Sequence, residues 1–587
     1  MCGIAGLSVP RGVRPDLEVL AAMSRALGHR GPDGQGRHVA GNVALAHLRL
    51  AIIDLETGGQ PIGEPEGAVL VANAEIYNYR ELTAELAGTA FRTKSDCEPP
   101  LHLYRRDGLE FAERLRGMYA IAIHDPVADR LVLARDPFGI KPLYYAETPK
   151  GFAFASEARA LLAAGLVAPS IRPEARAALL QRQYVPGPET IFAGIHRVLP
   201  GETLVVRDGR IVERRRRAAL PLDGAIEMSE DAALAALEAA LLDSVDKHQR
   251  SDVPYGMFLS GGIDSSAVLA LMARLNDRPV RAFTAYFPGT EAADERARAK
   301  KVARSLGAEH VEVEFGERDF LDLLPSVAAA LDDPAADYAV LPSYKLARVA
   351  AEGFKVILSG EGGDELFAGY GRYRRAVRRF LPGRRLRAPG AFDRSGVLRD
   401  SVLAGFRDDA EDRAASERAA GRTALQAAQA VDCAEWLPND LLIKLDRCLM
   451  AHGVEGRTPF LDPVVADLAF RLPDGLKVKG GLGKWLLRRW LAKALPASDT
   501  FSRKQGFTVP VGEWIARHGD RLAPLVAVQP GIAEICRPGA AEALFRRADR
   551  RATFAAWILL FYALWHRCHV LGRPPEGDVF ATLSTRA

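Results

Sequence analysis

Up to about residue 205, apolar positions come in short blocks. Val43 to Asp54, Ala68 to Asn73, Met118 to His124, Arg130 to Ala134 and Gly151 to Ala155 are such runs, separated by Gly, Pro, Asn or Asp. Continuous apolar blocks bounded by turn residues predict strands buried on both faces. Leu17 to Ala26 and Asp96 to Arg105 read as helices, which places helices outside packed β-sheets.

From about residue 230 the pattern changes. Asp231 to Leu242 is Ala- and Leu-rich and helical, and strand and helix patterns then alternate. Pro254 to Leu259, Val280 to Phe287, His310 to Phe315 and Lys355 to Leu358 read as strands. Ser265 to Leu275 and Asp294 to Leu306 read as helices, the first with Val268, Leu269, Leu271, Met272 and Leu275 on one face. Such alternation predicts an α/β domain with a doubly wound parallel sheet. The division expected is a first domain over 2–205, a polar, basic linker over 206–229 and a second domain over 230–587. No repeat of solenoid length is found.

Composition narrows the class. The 587 residues exceed a single typical domain. Hydrophobic residues make up 48% and charged residues 26%, which excludes a disordered, collagen-like or coiled-coil chain. Lys and Arg number 78 against 74 Asp and Glu, too even a balance for an electrostatic nucleic-acid binder. The six cysteines form no CxxC pair, so a reducing, cytoplasmic setting is expected. The N-terminus lacks a secretory pattern. The apolar run Phe554 to Trp565 is too short for a bilayer and predicts a buried helix. Two basic clusters, Arg214 to Arg217 and the eight arginines between Arg372 and Arg387, are expected to be solvated faces.

Candidate chemistry sits at two places. Cys2 follows the initiator Met, and its exposure by Met1 removal would join a thiol to a free α-amine. An amine with a pKa of about 7.7–8.0 can take the proton of a thiol with a pKa of about 8.5, which makes an activated nucleophile without a His. In the second half, Phe258-Leu259-Ser260-Gly261-Gly262-Ile263-Asp264-Ser265-Ser266 joins a strand to a helix. Its glycines turn backbone N–H groups toward an anion, the helix N-terminus favours negative charge, and the Ser hydroxyls add donors. It lacks the Lys of a Walker-type loop. Leu358-Ser359-Gly360-Glu361-Gly362-Gly363-Asp364-Glu365-Leu366-Phe367 follows another strand. Carboxylates crowded at a strand terminus call for a metal, a cation or a substrate amine.

The motifs MCGIAG (1–6), HRGPDG (29–34), AHLRLAIIDL (46–55), NAEIYNY (73–79) and SDCE (95–98) resemble, in order and spacing, a glutamine amidotransferase domain of the N-terminal-nucleophile type. RDPFGIKPLYY (135–145) and FAFASEARALL (152–162) extend the likeness. SGGIDSS and SGEGGDE, with DLLIKLDR (440–447), GVEGRTPFLD (453–462), GKWLLRR (483–489) and RKQGF (503–507), resemble the synthetase domain of the glutamine-hydrolysing asparagine synthetase family. That resemblance implies an αββα sandwich of antiparallel sheets followed by an ATP-pyrophosphatase domain with a helical C-terminal part. It implies Cys2 as nucleophile, Arg49, Glu75 and Asp96 as binders of the glutamine head, and the Asn73 amide with the N–H of Ala74 as oxyanion hole. It further implies ATP and pyrophosphate contacts from Leu259, Ser260, Gly261, Gly262, Asp264, Ser265, Ser266, Ser359, Gly360 and Lys484, with Glu361 as the base that deprotonates ammonia. Asp264 and Asp364 would hold Mg²⁺, while Glu365 would shape the site.

Glutamine, aspartate and ATP are then the expected substrates, with no nucleic-acid or membrane partner, and a homodimer is left open. A shielded passage for ammonia between the sites is also expected. Two departures stand out. Ala74 replaces the Gly of Asn-Gly-Glu, so its methyl is expected either to strain the loop or to crowd the bound amide. Leu449 stands where relatives often have a smaller or polar residue, which keeps another carboxylate acceptor open. A phosphosugar or phosphoribosyl amidotransferase is disfavoured by SGGIDSS and SGEGGDE, and a non-catalytic glutamine or ATP sensor by the full set of catalytic candidates.

Overall fold

The strand Gly3–Ser8 starts one residue after Cys2 and runs antiparallel between Val43–Arg49 and Gly151–Ala155. The computed structural model describes residues 1–63, 67–292, 294–377, 386–496, 498–502 and 508–585. Strand Gly3–Ser8 belongs to a six-stranded sheet whose remaining members are His196–Arg197, Tyr144–Thr148 and Gly34–Ala40. A second six-stranded antiparallel sheet runs in the order Arg210–Arg216, Glu202–Arg207, Arg130–Arg135, Gly117–Asp125, Val69–Ile76, Ile62–Gly63. Ile4, Leu45, Val71, Ala120, Leu133 and Phe154 meet between the sheets. Helices Leu17–Ala26 and Ala158–Ala163 cover one outer face, and Tyr79–Glu85 and Pro99–Asp107 the other. The αββα layering is therefore present, and nearly continuous apolar strands result because each sheet is covered twice.

Residues 206–216, expected as linker, belong to this sandwich. Strands Glu202–Arg207 and Arg210–Arg216 form a hairpin on the edge of the second sheet. Among the described residues the Arg-rich return strand is the edge of its sheet, with exposed side chains, which is why its composition looked like linker. Arg214 to Arg216 lie there, exposed as expected.

The second half holds a five-stranded parallel sheet ordered Glu309–Glu314, Arg281–Tyr286, Tyr255–Phe258, Val356–Leu358, Glu455–Arg457. Met257, Ala282, Val356 and Leu358 pack with helices Glu230–His248, Ile263–Leu275 and Arg296–Ser305, whereas Phe283, Val313 and Ile357 pack with Glu317–Ala330, Val340–Ala350 and Leu442–Met450. Strand order reverses between Tyr255–Phe258 and Val356–Leu358, so the loops leaving these two strands open a crevice at the switch point. Helix Arg550–His569 carries the Phe554–Trp565 run and is buried on all sides. Its Trp557 Nε1 donates to Ala336 O at 2.6 Å. Among the described residues no helix is long and apolar enough to cross a membrane.

The second basic cluster departs from expectation. Arg372 and Arg387 are not solvated: Asp432 accepts from Arg372 Nε at 2.6 Å and pairs with Arg387 Nη1 at 2.7 Å. Arg372 also lies 4.1 Å from the Trp436 ring centroid. A buried carboxylate and aromatic faces offset the loss of hydration. Residues 378–385 of that cluster lie outside the described residues.

Buried ion pairs join the halves, among them Arg30–Asp446 (2.8 Å), Arg197–Asp333 (2.7 Å) and Arg457–Glu75 (3.0 Å), with the half-buried pair Arg116–Asp462 (2.9 Å) beside them.

Two candidate active sites

Cys2 lies at the head of strand Gly3–Ser8, buried beside strand Val69–Ile76. Its backbone N donates to Asn73 Oδ1 at 3.0 Å. Asn73 Nδ2 is buried and has no hydrogen-bond partner among the described residues. A narrow cavity lined by Cys2, Arg49, Ala74, Glu75, Asp96 and Cys97 opens here. Strand pairing decides how Ala74 contributes. Ala72 N–H donates to Gln60 Oε1 at 2.6 Å and Ile76 N–H to Asp96 Oδ2 at 2.7 Å. Because N–H direction alternates along a strand, Ala74 N–H points to the same edge, between them.

The strain expected at Ala74 is absent. The residue is extended within its strand and is not among the residues with positive φ. Its methyl packs with Ala72, Ile76 and Leu101 on the face opposite Asn73 and Glu75, as the two-residue side-chain period requires.

Arg49 Nη1 donates to Leu55 O at 3.3 Å and Nη2 to Ile53 O at 3.4 Å, which fixes its guanidinium in the cavity wall. Burial pushes the Asp96 carboxyl up to about 6 despite the Ile76 N–H. Burial also raises the Cys2 thiol, opposed by the N-terminal ammonium and the Leu50 backbone. Glu75 pairs with Arg457 at 3.0 Å. Residues missed in the sequence complete this site. The Met1 ammonium pairs with Glu455 at 3.0 Å, and Arg30 Nε donates to Cys2 O at 3.1 Å. Both lie in motifs already singled out, HRGPDG and GVEGRTPFLD, but only tertiary packing brings them to Cys2.

The second site forms where the two loops of the switch point touch. Gly261 has a φ of 67°, and Ser260 Oγ lies 3.1 Å from Ser265 Oγ. A Cβ on Gly360 would sit 2.9 Å from Asp264 Cβ, so glycine is what lets the second loop pack on the first. Lys484 enters from the head of helix Trp485–Ala494 and pairs with Asp264 and, at 2.6 Å, with Asp364. Burial lowers its pKa, but these two carboxylates outweigh it and hold the ammonium above its ordinary value. Ser266 Oγ and Ser359 Oγ are buried and have no hydrogen-bond partner among the described residues. Ser260, Gly261, Gly262, Asp264, Asp364 and Lys484 share one cavity. Leu259 lies beneath it, its N–H donating to Phe283 O at 2.8 Å and its carbonyl accepting from Thr284 Oγ1 at 2.5 Å.

Glu361 stands on the other side of the second loop. Its carboxylate lies 3.9 Å from Lys444, which pairs with Asp337 at 2.8 Å. Burial raises Glu361, Lys444 opposes this, and Asp337 and Asp364 add to it. Glu365 turns away and accepts from Tyr370 Oη at 2.7 Å. Arg457 O accepts from Ser359 N–H at 2.9 Å, while Asp462 caps helix Pro463–Arg471 and pairs with Arg116. RKQGF (503–507) lies outside the described residues.

Leu449 packs in the core. It is fully buried, and a Cβ on Gly456 would sit 3.1 Å from its Cδ2. The missing side chain at Gly456 provides the room that Leu449 fills.

No group of three or more His, Cys, Asp or Glu placed to hold a metal is found among the described residues. Asp264 and Asp364, from facing loops, share one ammonium, and two carboxylates beside a phosphate-sized cavity suit Mg²⁺ once phosphate oxygens complete the ligand set.

The chain thus combines an N-terminal sandwich with a Cys-headed cavity and a parallel sheet with a Gly- and Ser-rich anion loop. Residues 1–216 match the family described as "Glutamine amidotransferase domain", and residues 236–567 match the family described as "Asparagine synthase". A Mycobacterium tuberculosis relative is 36% identical, with 97% of each chain covered. A Bacillus subtilis protein named "Asparagine synthetase [glutamine-hydrolyzing] 1" is 32% identical over 97% of each chain. The Escherichia coli "Asparagine synthetase B [glutamine-hydrolyzing]" is 32% identical over 90% of this chain and 85% of its own. The chain belongs to the asparagine synthase family.

Proposed function

We propose that the chain makes asparagine from aspartate, with ATP as activator and glutamine as nitrogen source. One observation carries the reading: Asn73 Nδ2 at the first site and Ser266 Oγ and Ser359 Oγ at the second are buried and have no hydrogen-bond partner among the described residues. Such groups are costly unless a ligand satisfies them.

In the first step, after Met1 is removed, the α-amine of Cys2 takes the thiol proton and the sulfur attacks the glutamine side-chain amide. Asn73 Nδ2 and Ala74 N–H receive the oxyanion, and Arg49, Glu75 and Asp96 hold the amino-acid head. Collapse of the tetrahedral intermediate releases ammonia and leaves a γ-glutamyl thioester on Cys2, and water then hydrolyses that thioester to glutamate and the free thiol.

In the second step the aspartate side-chain carboxylate attacks the α-phosphorus of ATP. β-Aspartyl-AMP forms and pyrophosphate departs. Ser260, Gly261, Gly262, Ser265 and Ser266 grip the leaving group, Lys484 offsets its charge, and Ser359 and Gly360 line the nucleotide side. Mg²⁺ on Asp264 and Asp364 would supply charge neutralisation on the phosphates. Ammonia attacks the acyl-adenylate, Glu361 takes its proton, and asparagine and AMP are released. Ammonia kept from bulk water retains its nucleophilicity, so a covered route across the Arg30–Asp446 seam is part of the proposal. The six cysteines are unpaired, in keeping with a reducing cytoplasm.

A second reading keeps this chemistry and changes the carboxylate acceptor. Leu449 is the sequence feature behind it, and that residue packs against Gly456 in the core. Incubation with amide-labelled glutamine, ATP and aspartate tests the proposal. Labelled asparagine, AMP and pyrophosphate are expected, and ADP or an unlabelled product would overturn it.

A further inference from the structure

The anion loop is walled on one side by helix Arg296–Ser305. A Cβ on Gly261 would meet Ala299 N at 2.8 Å and Arg298 Cγ at 3.1 Å, so the stem of Arg298 lies directly against the loop backbone. Arg298 lines the same cavity as Ser260, Asp264, Ser266 and Lys484. Among the described residues its guanidinium makes one hydrogen bond, Nη2 to Ser502 Oγ at 3.3 Å.

Charge balance makes this arginine more than a wall. Among the described residues the cavity lining contains the carboxylates Asp264, Glu295, Asp364 and Asp499 and the cations Lys484 and Arg298. Lys484 is already shared between Asp264 and Asp364. A departing pyrophosphate adds several negative charges, and Mg²⁺ on Asp264 and Asp364 with Lys484 beside them would meet them from the side opposite helix Arg296–Ser305. Arg298 has no carboxylate within ion-pair distance among the described residues, and its planar fork suits a phosphate in two-point contact.

We propose that Arg298 is a second pyrophosphate-binding cation, which contacts the β- and γ-phosphates of ATP and holds them as they leave. This rests on the ATP-to-AMP reading above. The contact is absent from AMP, so the residue discriminates ATP and pyrophosphate from the mononucleotide. The bland alternative is that Arg298 only clips Ser502 over the cavity.

The full chain is prepared with Arg298→Met, Arg298→Lys and Ser502→Ala. ATP-dependent synthesis from ammonium salts is measured, with inhibition by pyrophosphate and by AMP, and glutamine hydrolysis reports folding. Loss of a charged hydrogen bond predicts that Arg298→Met weakens pyrophosphate inhibition and raises KM for ATP by about tenfold or more. Inhibition by AMP and glutamine hydrolysis stay at wild-type values, Arg298→Lys recovers part of the loss, and Ser502→Ala changes little. Unchanged pyrophosphate inhibition in Arg298→Met overturns the proposal, as does an equal effect of Ser502→Ala or an equal loss of AMP affinity. A wild-type chain that forms no AMP and pyrophosphate would instead overturn the parent reading.

Discussion

Cys2 owes its setting to neighbours far away in sequence, and its chemistry can be separated from the rest of the chain. Cys2→Ala should abolish glutamine-dependent synthesis and leave synthesis from ammonium salts near wild type. Loss of both in a folded variant would contradict the division into two sites. Asp96 adds a pH signature. With its carboxyl pushed up to about 6, it is ionised above that pH and neutral below. A neutral Asp96 cannot pair with an α-ammonium, so kcat/KM for glutamine should fall as pH drops through about 6, and Asp96→Asn should be low throughout without that limb. At Leu449 the sequence alone suggests a specificity position, yet the residue fills space left by Gly456. Leu449→Ala should therefore cost about 2–5 kcal/mol in denaturant unfolding and leave acceptor preference unchanged. A switch in acceptor would return Leu449 to the site.

At the scale of elements, the strand–turn–helix around SGGIDSS is legible because every step is local. An apolar strand, two glycines and an apolar helix face all lie within a few residues. What periodicity could not show is the second loop seated on the first, with Gly360 against Asp264, because that contact depends on the order of strands in the sheet. The hairpin at 202–216 shows the opposite failure. An exposed edge strand carries the same polar, Arg-rich composition as a linker, and only its pairing distinguishes the two. Gly261 combines a φ of 67° with Ala299 N only 2.8 Å from where a Cβ would stand. Gly261→Ala should thus lower ATP-dependent synthesis by about tenfold or more, since left-handed strain and displacement of the loop each cost on the order of 1 kcal/mol. Glutamine hydrolysis should persist, and its parallel loss would mean general misfolding.

Across the whole molecule, the seam between the halves carries part of the first site. Glu455 and Arg457 belong to the edge strand of the parallel sheet yet reach Met1 and Glu75. Arg30 is fully buried and holds Glu157 (2.6 Å), Asp446 (2.8 Å) and the Cys2 carbonyl together. Arg30→Met would leave carboxylates buried with less compensation, so a loss of about 3 kcal/mol is expected in denaturant unfolding, with glutaminase activity falling alongside. An unaltered stability would show that the seam does not depend on this pair.

The sequence by itself determined the local devices: a Cys beside the chain start, Gly-rich turns after apolar strands, and the alternation that separates a sandwich from a wound sheet. These depend on neighbouring residues and on side-chain period. The tertiary structure alone decided which distant charges meet. It buried Arg372 and Arg387, set the Ala74 methyl on the strand face opposite Asn73 and Glu75, placed Leu449 in the core and set Arg298 beside the anion loop. The burial of a charge and the contacts it makes there are fixed by packing between elements, and that leaves no periodic trace along the chain.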